Sequence, residues 1–356
     1  MPVFGLEEEV FITEPERPTL RSFYYLSRLL ARNPTFYYTH SAHNFARGSD
    51  VKQGVMSGVE ISTTMCEDVE ALVDDLTKRR ADLASVTSGL IVPVGHLLQY
   101  EAPTNTCAIH VHISGVEDKR RLYGNLIHFL PVLPLFTMNS PMASSEYFGQ
   151  SYRMARSWAI GPIKSDWQVR FQDIIHSKRL GTIELRIFDP CWDLNRVRWL
   201  LRAIKAITEL DTTLDPAIDH YNSLRDNMCR KGLVDEAADL VEELKSLVDF
   251  PLELLERTAS DELRHAYDAH GLVGGLVDVI IILALALDGH GGDIRPVPQH
   301  GHGHLAGLVA QHLIVDGQGE VAAGHHHVAV PCHHGHLFCQ GRFIYQGHGR
   351  GQGVVR

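Results

Sequence analysis

The chain has 356 residues, which is enough for one large catalytic domain or for two ordinary domains. With 44% hydrophobic and 21% charged residues, its composition is that of a soluble globular protein and excludes a disordered or fibrous chain. The formal net charge of −10 argues against nucleic acid or an anionic membrane as partner, so an anionic substrate would need a local cation.

The start of the chain shows no export signal, because Met1 is followed at once by a strand-like segment and three glutamates. We therefore expect a cytoplasmic protein. The longest apolar run, residues 277–287, is shorter than the roughly 20 residues that a membrane-spanning helix needs. Six cysteines without Cys-x-x-Cys spacing argue against a disulfide framework in a chain of this size.

Two hydrophobic periods alternate along residues 1–270. A period of two predicts strands, and a period near 3.6 predicts helices. In chain order we predict strands over 3–12 and 58–64, a helix over 66–90, strands over 107–114 and 181–189, and helices over 193–210 and 232–250. Glu67 and Asp68 suit the start of the first helix, and Pro251 ends the last one.

Each of the four predicted strands carries polar side chains on one face and Leu, Val or Ile on the other. Residues two apart in a strand point to the same side, so each strand contributes one pair. The pairs are, in chain order, Glu7 with Glu9, Glu60 with Ser62, His110 with His112, and Glu184 with Arg186.

For a single strand, alternating charge usually means a solvated sheet face. A solvated face carries lysine, threonine and mixed charges, whereas these four strands supply mainly Glu and His, which are ligands for a hard cation. Three or four carboxylates cannot share one cup unless cations neutralise them. Mg²⁺ fits because it binds carboxylates and substrate phosphates together. The pattern predicts phosphoryl transfer from ATP, with Arg186 as an additional cation for the developing charge.

Five short motifs lie in order along about residues 1–265. They are Phe4-Gly5-Leu6-Glu7-Glu8-Glu9, His110-Val111-His112-Ile113-Ser114-Gly115, Ser140-Pro141, Ser151-Tyr152-Arg153 and Gly181-Thr182-Ile183-Glu184-Leu185-Arg186. Together they resemble the type 2 glutamate-cysteine ligase family of carboxylate-amine ligases. The resemblance implies an α+β, glutamine-synthetase-like catalytic domain over residues 1–270. In such a domain a curved antiparallel sheet cups ATP and metal ions, and helices pack behind it.

The resemblance also implies roles for individual residues. Glu7, His110 and Glu184 would hold the metal ion at the transferring phosphate, while Glu9 and Glu60 would hold a second one. Glu184 and Arg186 would be the catalytic residues, with Arg186 in contact with the phosphates. The implied cofactors are ATP and Mg²⁺.

Further positions remain open between alternatives. His112 is either a metal ligand, a substrate contact or a structural hydrogen-bonded histidine. Arg153 resembles the family's substrate-loop arginine, which could clamp a carboxylate bidentately. Arg179 is a candidate substitute for an anion-binding arginine that the family has before its last strand motif. Met56 stands where the family often has a polar residue, which predicts a thinner second metal site.

Three functions are compatible with the sequence. The first is ATP-dependent joining of the γ-carboxylate of glutamate to cysteine or another amine through an acyl phosphate. The second is an ATP-dependent kinase that phosphorylates a guanidino or amino group on the same fold. The third is an inactive relative that has lost the C-terminal part of the domain. The expected partners are small molecules, with neither nucleic acid nor membrane, and a homodimer is a hypothesis for the assembly.

Residues 271–356 differ from the rest of the chain: they hold 18 of its 30 glycines, 12 of its 22 histidines and no lysine. Three interpretations compete for this atypical Gly/His-rich tail. Its histidines and cysteines could bind zinc or nickel, it could be a disordered tail, or it could be translated out of frame. The abrupt loss of lysine favours the out-of-frame interpretation.

Overall fold

The computed structural model describes most of the first 268 residues. The described residues are 1–12, 31, 39–40, 57–86, 91–96, 106–143, 146–156, 172–177, 180–216, 218–266 and 268. The predictions made for Met56, Arg179, residues 277–287 and the tail 271–356 lie outside them. The chain divides into two units, Met1–Asp293 and Ile294–Arg356, and every described residue belongs to the first.

An antiparallel sheet of seven described strands is the centre of this unit. The strands of the unit are β1 (Val3–Ile12), β2 (Thr39–His40), β3 (Ser57–Ser62), β4 (Ile91–Val92), β5 (Ile109–Ser114), β6 (Met142–Ala143), β7 (Glu146–Tyr147), β8 (Ile174–Ser177) and β9 (Thr182–Phe188). The order across the sheet is β2-β3-β1-β5-β9-β8, with β4 paired to the end of β1, while β6 and β7 form a separate hairpin.

Two of the longer helices lie between strands in the sequence, and most of the others follow the last strand. They are α1 (Val69–Val86), α2 (Lys119–Phe129), α3 (Tyr152–Arg156), α4 (Leu194–Thr208), α5 (Ile218–Lys231), α6 (Ala238–Leu247), α7 (Glu253–Glu256) and α8 (259–266). Asp118 and Asp193 begin α2 and α4, because each side chain accepts hydrogen bonds from backbone N–H groups of the first turn. None of the described helices is long and apolar enough to cross a membrane.

The hydrophobic core lies on one face of the sheet. Leu6, Val111 and Leu185 point to this face from three adjacent strands and are buried. Helices α1 and α4 pack against each other, and α1 also packs against β1. Full burial of each such aliphatic side chain contributes about 1.5–3 kcal/mol, so this face holds the sheet to its helices.

The α+β class is confirmed, and so are the four predicted strands and the helices predicted over 66–90 and 193–210. The helix predicted over 232–250 is wrong at its start. Gly232 has a φ of +81° and donates its N–H to the carbonyl of Met228, so it ends α5 instead of opening a new helix. A 3₁₀ turn follows at Asp235–Ala237, and α6 begins only at Ala238.

Candidate active site

The face of the sheet opposite the core carries the polar side chains that the strand period predicts, and we call it the cup face. Antiparallel pairing sets these side chains side by side on four neighbouring strands. The directly opposed pairs are Glu9 with Glu60, Glu7 with His110, and His112 with Glu184. The sheet therefore gathers acids and imidazoles that are up to 177 positions apart in the sequence, from Glu7 to Glu184.

Glu7, His112 and Glu184 form the tightest group on the cup face. Each offers a ligand atom that lies within 4.8 Å of the other two. His110 borders the same carboxylates, since its Nδ1 lies 3.5 Å from Glu7 Oε2 and 3.6 Å from Glu184 Oε1. Mg²⁺ binds oxygen at about 2.1 Å, so opposite ligands stand about 4.2 Å apart. The group has the dimensions of a site for one small cation.

The hydrogen bonding of two buried imidazole nitrogens indicates whether a cation fits this site. Among the described residues, neither His110 Nδ1 nor His112 Nε2 has a hydrogen-bond partner, although His112 Nε2 lies 3.3 Å from Glu7 Oε2. A buried polar atom without a partner costs about 1–3 kcal/mol. The other ring nitrogen of His112 lies 3.2 Å from Thr182 Oγ1, which orients the ring as outer partners of metal ligands do. This donor set fits a divalent cation.

The acids of the cup face repel one another. Burial raises the pKa of Glu60, and the nearby charges of Glu7 and Glu9 raise it further, to about 8. Burial also raises the pKa of Glu7, but the imidazoles of His110 and His112 lower it by more, so that its pKa falls well below the usual range. Glu7 thus stays ionised at neutral pH, whereas Glu60 keeps its proton. This difference is expected where several acids share a site that has too little positive charge to neutralise them.

Arg186 supplies a positive charge on this face. Its Nη1 pairs with Glu184 Oε1, and its side chain is about one-fifth exposed. Burial lowers the pKa of His110, and the charge of Arg186 lowers it further. A neutral imidazole is the form that binds a metal ion, so Arg186 favours the ligating state of His110.

A cavity of about 530 Å³ opens beside Glu7 and His112, where β1 begins. This volume lies within the range of small-molecule sites. Met65 and Leu180, each 46% exposed, contribute apolar side chains to it. A Cβ on Gly5 would stand 2.4 Å from Met65 Sδ, so glycine at this position lets the thioether lie across β1. The remaining lining residues are Leu6, Ser62, Thr63, Ser114 and Thr182.

No protein-family model and no curated protein matches this sequence. Among the solved structures that are similar to it are two ligases, each with a TM-score of 0.54. A bifunctional glutathione synthetase from Pasteurella multocida is 13% identical, and the match covers 81% of this chain and 51% of that one, so the chain spans about half its length. A glutamate-cysteine ligase from Francisella tularensis, crystallised in complex with AMP, is 10% identical over 88% of this chain and 92% of that one. This chain shares their fold.

Seven of the residues predicted for the site come together on the cup face. They are Glu7, Glu9, Glu60, His110, His112, Glu184 and Arg186. Their roles as metal ligands and catalytic groups stay predictions. The structure adds His112 to the group around Glu7 and Glu184, next to His110. Arg179 lies outside the described residues.

Arg153 contacts the backbone at the end of β9 and, among the described residues, pairs with none of the acids of the cup face. Its Nη1 donates to the carbonyl oxygen of Ile187 at 2.7 Å, and its Nη2 donates to that of Arg186 at 2.8 Å. Nη1 also lies 3.6 Å from Asp189 Oδ1. In this structure the guanidinium engages the protein backbone, whereas the resemblance implied a substrate carboxylate.

Asp189 explains why two of the sequence motifs meet. Its Oδ2 accepts hydrogen bonds from Ser140 Oγ, Ser151 Oγ and the Asn139 N–H at 2.8–2.9 Å. Burial raises the pKa of Asp189. Sequence reasoning missed this residue because nothing in the local pattern shows that segments 38 to 50 positions apart converge on it.

Glu8 and Thr182 were also missed. Glu8 is fully buried on the core face, where Arg80 Nε donates to its Oε2 at 2.8 Å. The signal was present, because Glu8 occupies an apolar position of the strand period. Thr182 lies on the cup face with Glu184, as the same period of two would have indicated.

Proposed function

We propose that this protein is an ATP- and Mg²⁺-dependent carboxylate-amine ligase of the glutamine-synthetase-like superfamily, joining the γ-carboxylate of glutamate to an amino compound, with cysteine as the first choice. The observation that carries the proposal is the group of Glu7, His112 and Glu184 with the adjacent His110, because His110 Nδ1 and His112 Nε2 have no hydrogen-bond partner among the described residues. The fold shared with two ligases supports it.

In this proposal Glu7, Glu184 and the imidazoles of His110 and His112 hold one Mg²⁺. Glu9 and Glu60, which are opposed across β1 and β3, hold a second. When bound, Mg²⁺ neutralises phosphate charge and orients the transferring phosphoryl group. The crowding that raises the pKa of Glu60 to about 8 supports this assignment, because a divalent cation relieves it.

A carboxylate at neutral pH is a poor acyl donor, so the reaction needs activation. An oxygen of the γ-carboxylate attacks the γ-phosphorus of ATP, which releases ADP and forms an acyl phosphate. The amine nitrogen then attacks the carbonyl carbon, the C–O bond to phosphate breaks, and the amine loses a proton. Arg186 stabilises the charge that develops on the transferring group, since its planar guanidinium can contact two oxygens.

The cavity beside Glu7 takes the nucleoside part of ATP in this proposal. Met65 and Leu180 offer apolar surface to a base, while Ser114 and Thr182 offer hydroxyl groups to the sugar or phosphates. Because the cavity borders Glu7 and His112, a nucleotide bound there places its phosphates towards the cation ligands. The AMP complex of the Francisella enzyme supports a nucleotide site on this fold.

The test is to incubate the full chain with ATP, Mg²⁺, glutamate and a panel of amines that includes cysteine. Mass spectrometry would follow ADP, phosphate and amide together. Glutamate labelled with ¹⁸O in its γ-carboxylate should transfer one labelled oxygen to the phosphate. Glu184→Gln should abolish turnover, and Glu256→Gln, which changes an exposed acid on α7, should leave it unchanged.

Each contrary outcome overturns the proposal in a recognisable way. ADP with a stable phosphorylated product and no amide would indicate a kinase. Phosphate without the ¹⁸O label would exclude the acyl phosphate. Failure to bind ATP in the presence of Mg²⁺ would indicate an inactive relative.

A further inference from the structure

Strand β9 contains a bulge at the point where it carries Arg186. Val111 of β5 is opposite Leu185, but Ile109 is opposite Phe188. His110 therefore faces two residues of β9, Arg186 and Ile187. A bulge leaves one residue unpaired in the ladder and redirects the side chains around it. The direction of Arg186 on the cup face thus depends on how this bulge is held.

Arg153 is the side chain that grips the bulge. It donates to the carbonyl oxygens of both bulge residues, Arg186 and Ile187, at 2.8 and 2.7 Å. In a regular strand successive carbonyl oxygens point to opposite edges, so one guanidinium reaches two of them only where the ladder is interrupted. The side chain of Arg153 is 11% exposed, and its Nη1 lies 3.6 Å from the buried Asp189.

Asp189 and α3 keep this guanidinium in place. Ser151, immediately before α3, donates its hydroxyl to Asp189 at 2.8 Å, and Asp189 follows directly after β9. The start of the helix and the end of the strand are thereby joined. On the other side of the bulge, the Arg186 N–H donates to the carbonyl of Asp173 at 2.8 Å. The backbone of Arg186 is held from two directions.

We infer that Arg153 is a positioning residue, whose planar fork fixes the bulge of β9 and so aims Arg186 and Glu184 at the reacting phosphates. The inference rests on the proposed function for its catalytic consequence. This role differs from that of a substrate-binding arginine. The two guanidinium nitrogens that would bind a substrate carboxylate already donate to backbone carbonyl oxygens. Lysine at this position keeps the charge but has no fork.

The experiment compares Arg153→Lys with a matched control, Arg196→Lys. Arg196 also donates to two backbone carbonyls, those of Leu254 and Arg257 at 2.8 and 2.7 Å, but it lies outside the cup face. We expect Arg153→Lys to lower kcat at least tenfold, with the KM values for ATP and glutamate within about twofold of wild type. Arg196→Lys should lower Tm without changing kcat at a temperature where the protein is folded.

A double-mutant cycle tests whether Arg153 acts through Arg186. In an Arg186→Lys background, Arg153→Lys should reduce kcat by less than twofold further. Independent, multiplicative losses would overturn the inference. So would a raised KM for glutamate with kcat unchanged, since that result would make Arg153 a substrate clamp.

Hydrogen-deuterium exchange keeps the inference testable if the wild-type chain has no ligase activity, in which case the proposed function fails separately. Arg153→Lys should speed exchange of the backbone amides of residues 186–188 at least tenfold, while Arg196→Lys should leave them unchanged. Equal exchange in Arg153→Lys and wild type would show that the guanidinium does not hold the bulge, and the inference would fall.

Discussion

The two faces of strand β1 place acidic side chains in opposite electrostatic environments. On the core face, Glu8 has no exposed surface and pairs with Arg80, which also donates to the carbonyls of Cys191 and Trp192. On the cup face, the neighbouring Glu7 and Glu9 lie among further acids and among imidazole nitrogens that have no hydrogen-bond partner within the described part of the chain. The charge of Glu8 is thus neutralised by a guanidinium, whereas its neighbours Glu7 and Glu9 lie among other acids that repel them.

A paired guanidinium distinguishes a buried structural acid from an acid that needs a bound cation. A buried carboxylate with a paired guanidinium needs nothing more from outside. Among the described residues, the four acidic side chains of the cup face, Glu7, Glu9, Glu60 and Glu184, have one guanidinium in contact with them, that of Arg186 on Glu184. Such an excess is sustained only where a cation completes the site.

The largest effect is expected from Glu7→Gln on the cup face. Removing a charged ligand should lower ATP-dependent phosphate release by about a hundredfold to a thousandfold, as removal of a key electrostatic group does. Tm in metal-free buffer should fall, but by less than in the core-face variant below, because the imidazoles of His110 and His112 favour the ionised form of Glu7 in the folded chain. Rate and melting curve should be measured on one preparation, with Glu256→Gln as control. Normal turnover would remove Glu7 from the site.

Glu8→Gln on the core face should show the reverse pattern. Leaving the buried Arg80 without its partner should reduce the free energy of unfolding by about 3–5 kcal/mol, while the turnover of the molecules still folded stays near wild type. Urea titration measures the first quantity. The double variant Glu8→Leu/Arg80→Met, which removes both charges, should regain most of the loss. An unchanged urea midpoint in Glu8→Gln would contradict the structural role.

The pH dependence of the metal-free protein should come from Glu60. Its pKa rises from 4.5 when unfolded to about 8 when folded, so the folded chain holds the extra proton. Its contribution to stability is present in full below pH 4.5 and is lost as the pH rises through 8, at up to about 1.4 kcal/mol per pH unit. Urea unfolding in EDTA from pH 5 to 9 should show wild type losing stability relative to Glu60→Gln. Parallel curves would contradict the shifted pKa.

The smallest effect should be stabilisation by the cation itself. Mg²⁺ or Mn²⁺ at about five times its Kd should raise the free energy of unfolding of wild type by about 1 kcal/mol. Glu184→Gln should lose this increment, and Glu256→Gln should keep it. A gain of equal size in Glu184→Gln would mean that the ion binds elsewhere.

Local sequence patterns were sufficient to predict the four main strands and the face to which each of their polar side chains points. Glu7, Glu60, His110 and Glu184 could be assigned to one polar face because the period of two is a local property of an extended backbone. The helices over Val69–Val86 and Leu194–Thr208 were readable for the same reason, since their apolar spacing and N-terminal acids are local too.

Contacts between distant segments determine which side chains meet, and local patterns do not reveal these contacts. Strand register sets His112 beside Glu184, and it depends on pairing between segments that no local period connects. The bulge at Arg186, the hydrogen bonds of Arg153 to it and the pairing of Glu8 with Arg80 arise from contacts between residues 33 to 79 positions apart. The period of the sequence predicts the direction of a side chain, whereas the packing of distant segments determines which residue it contacts.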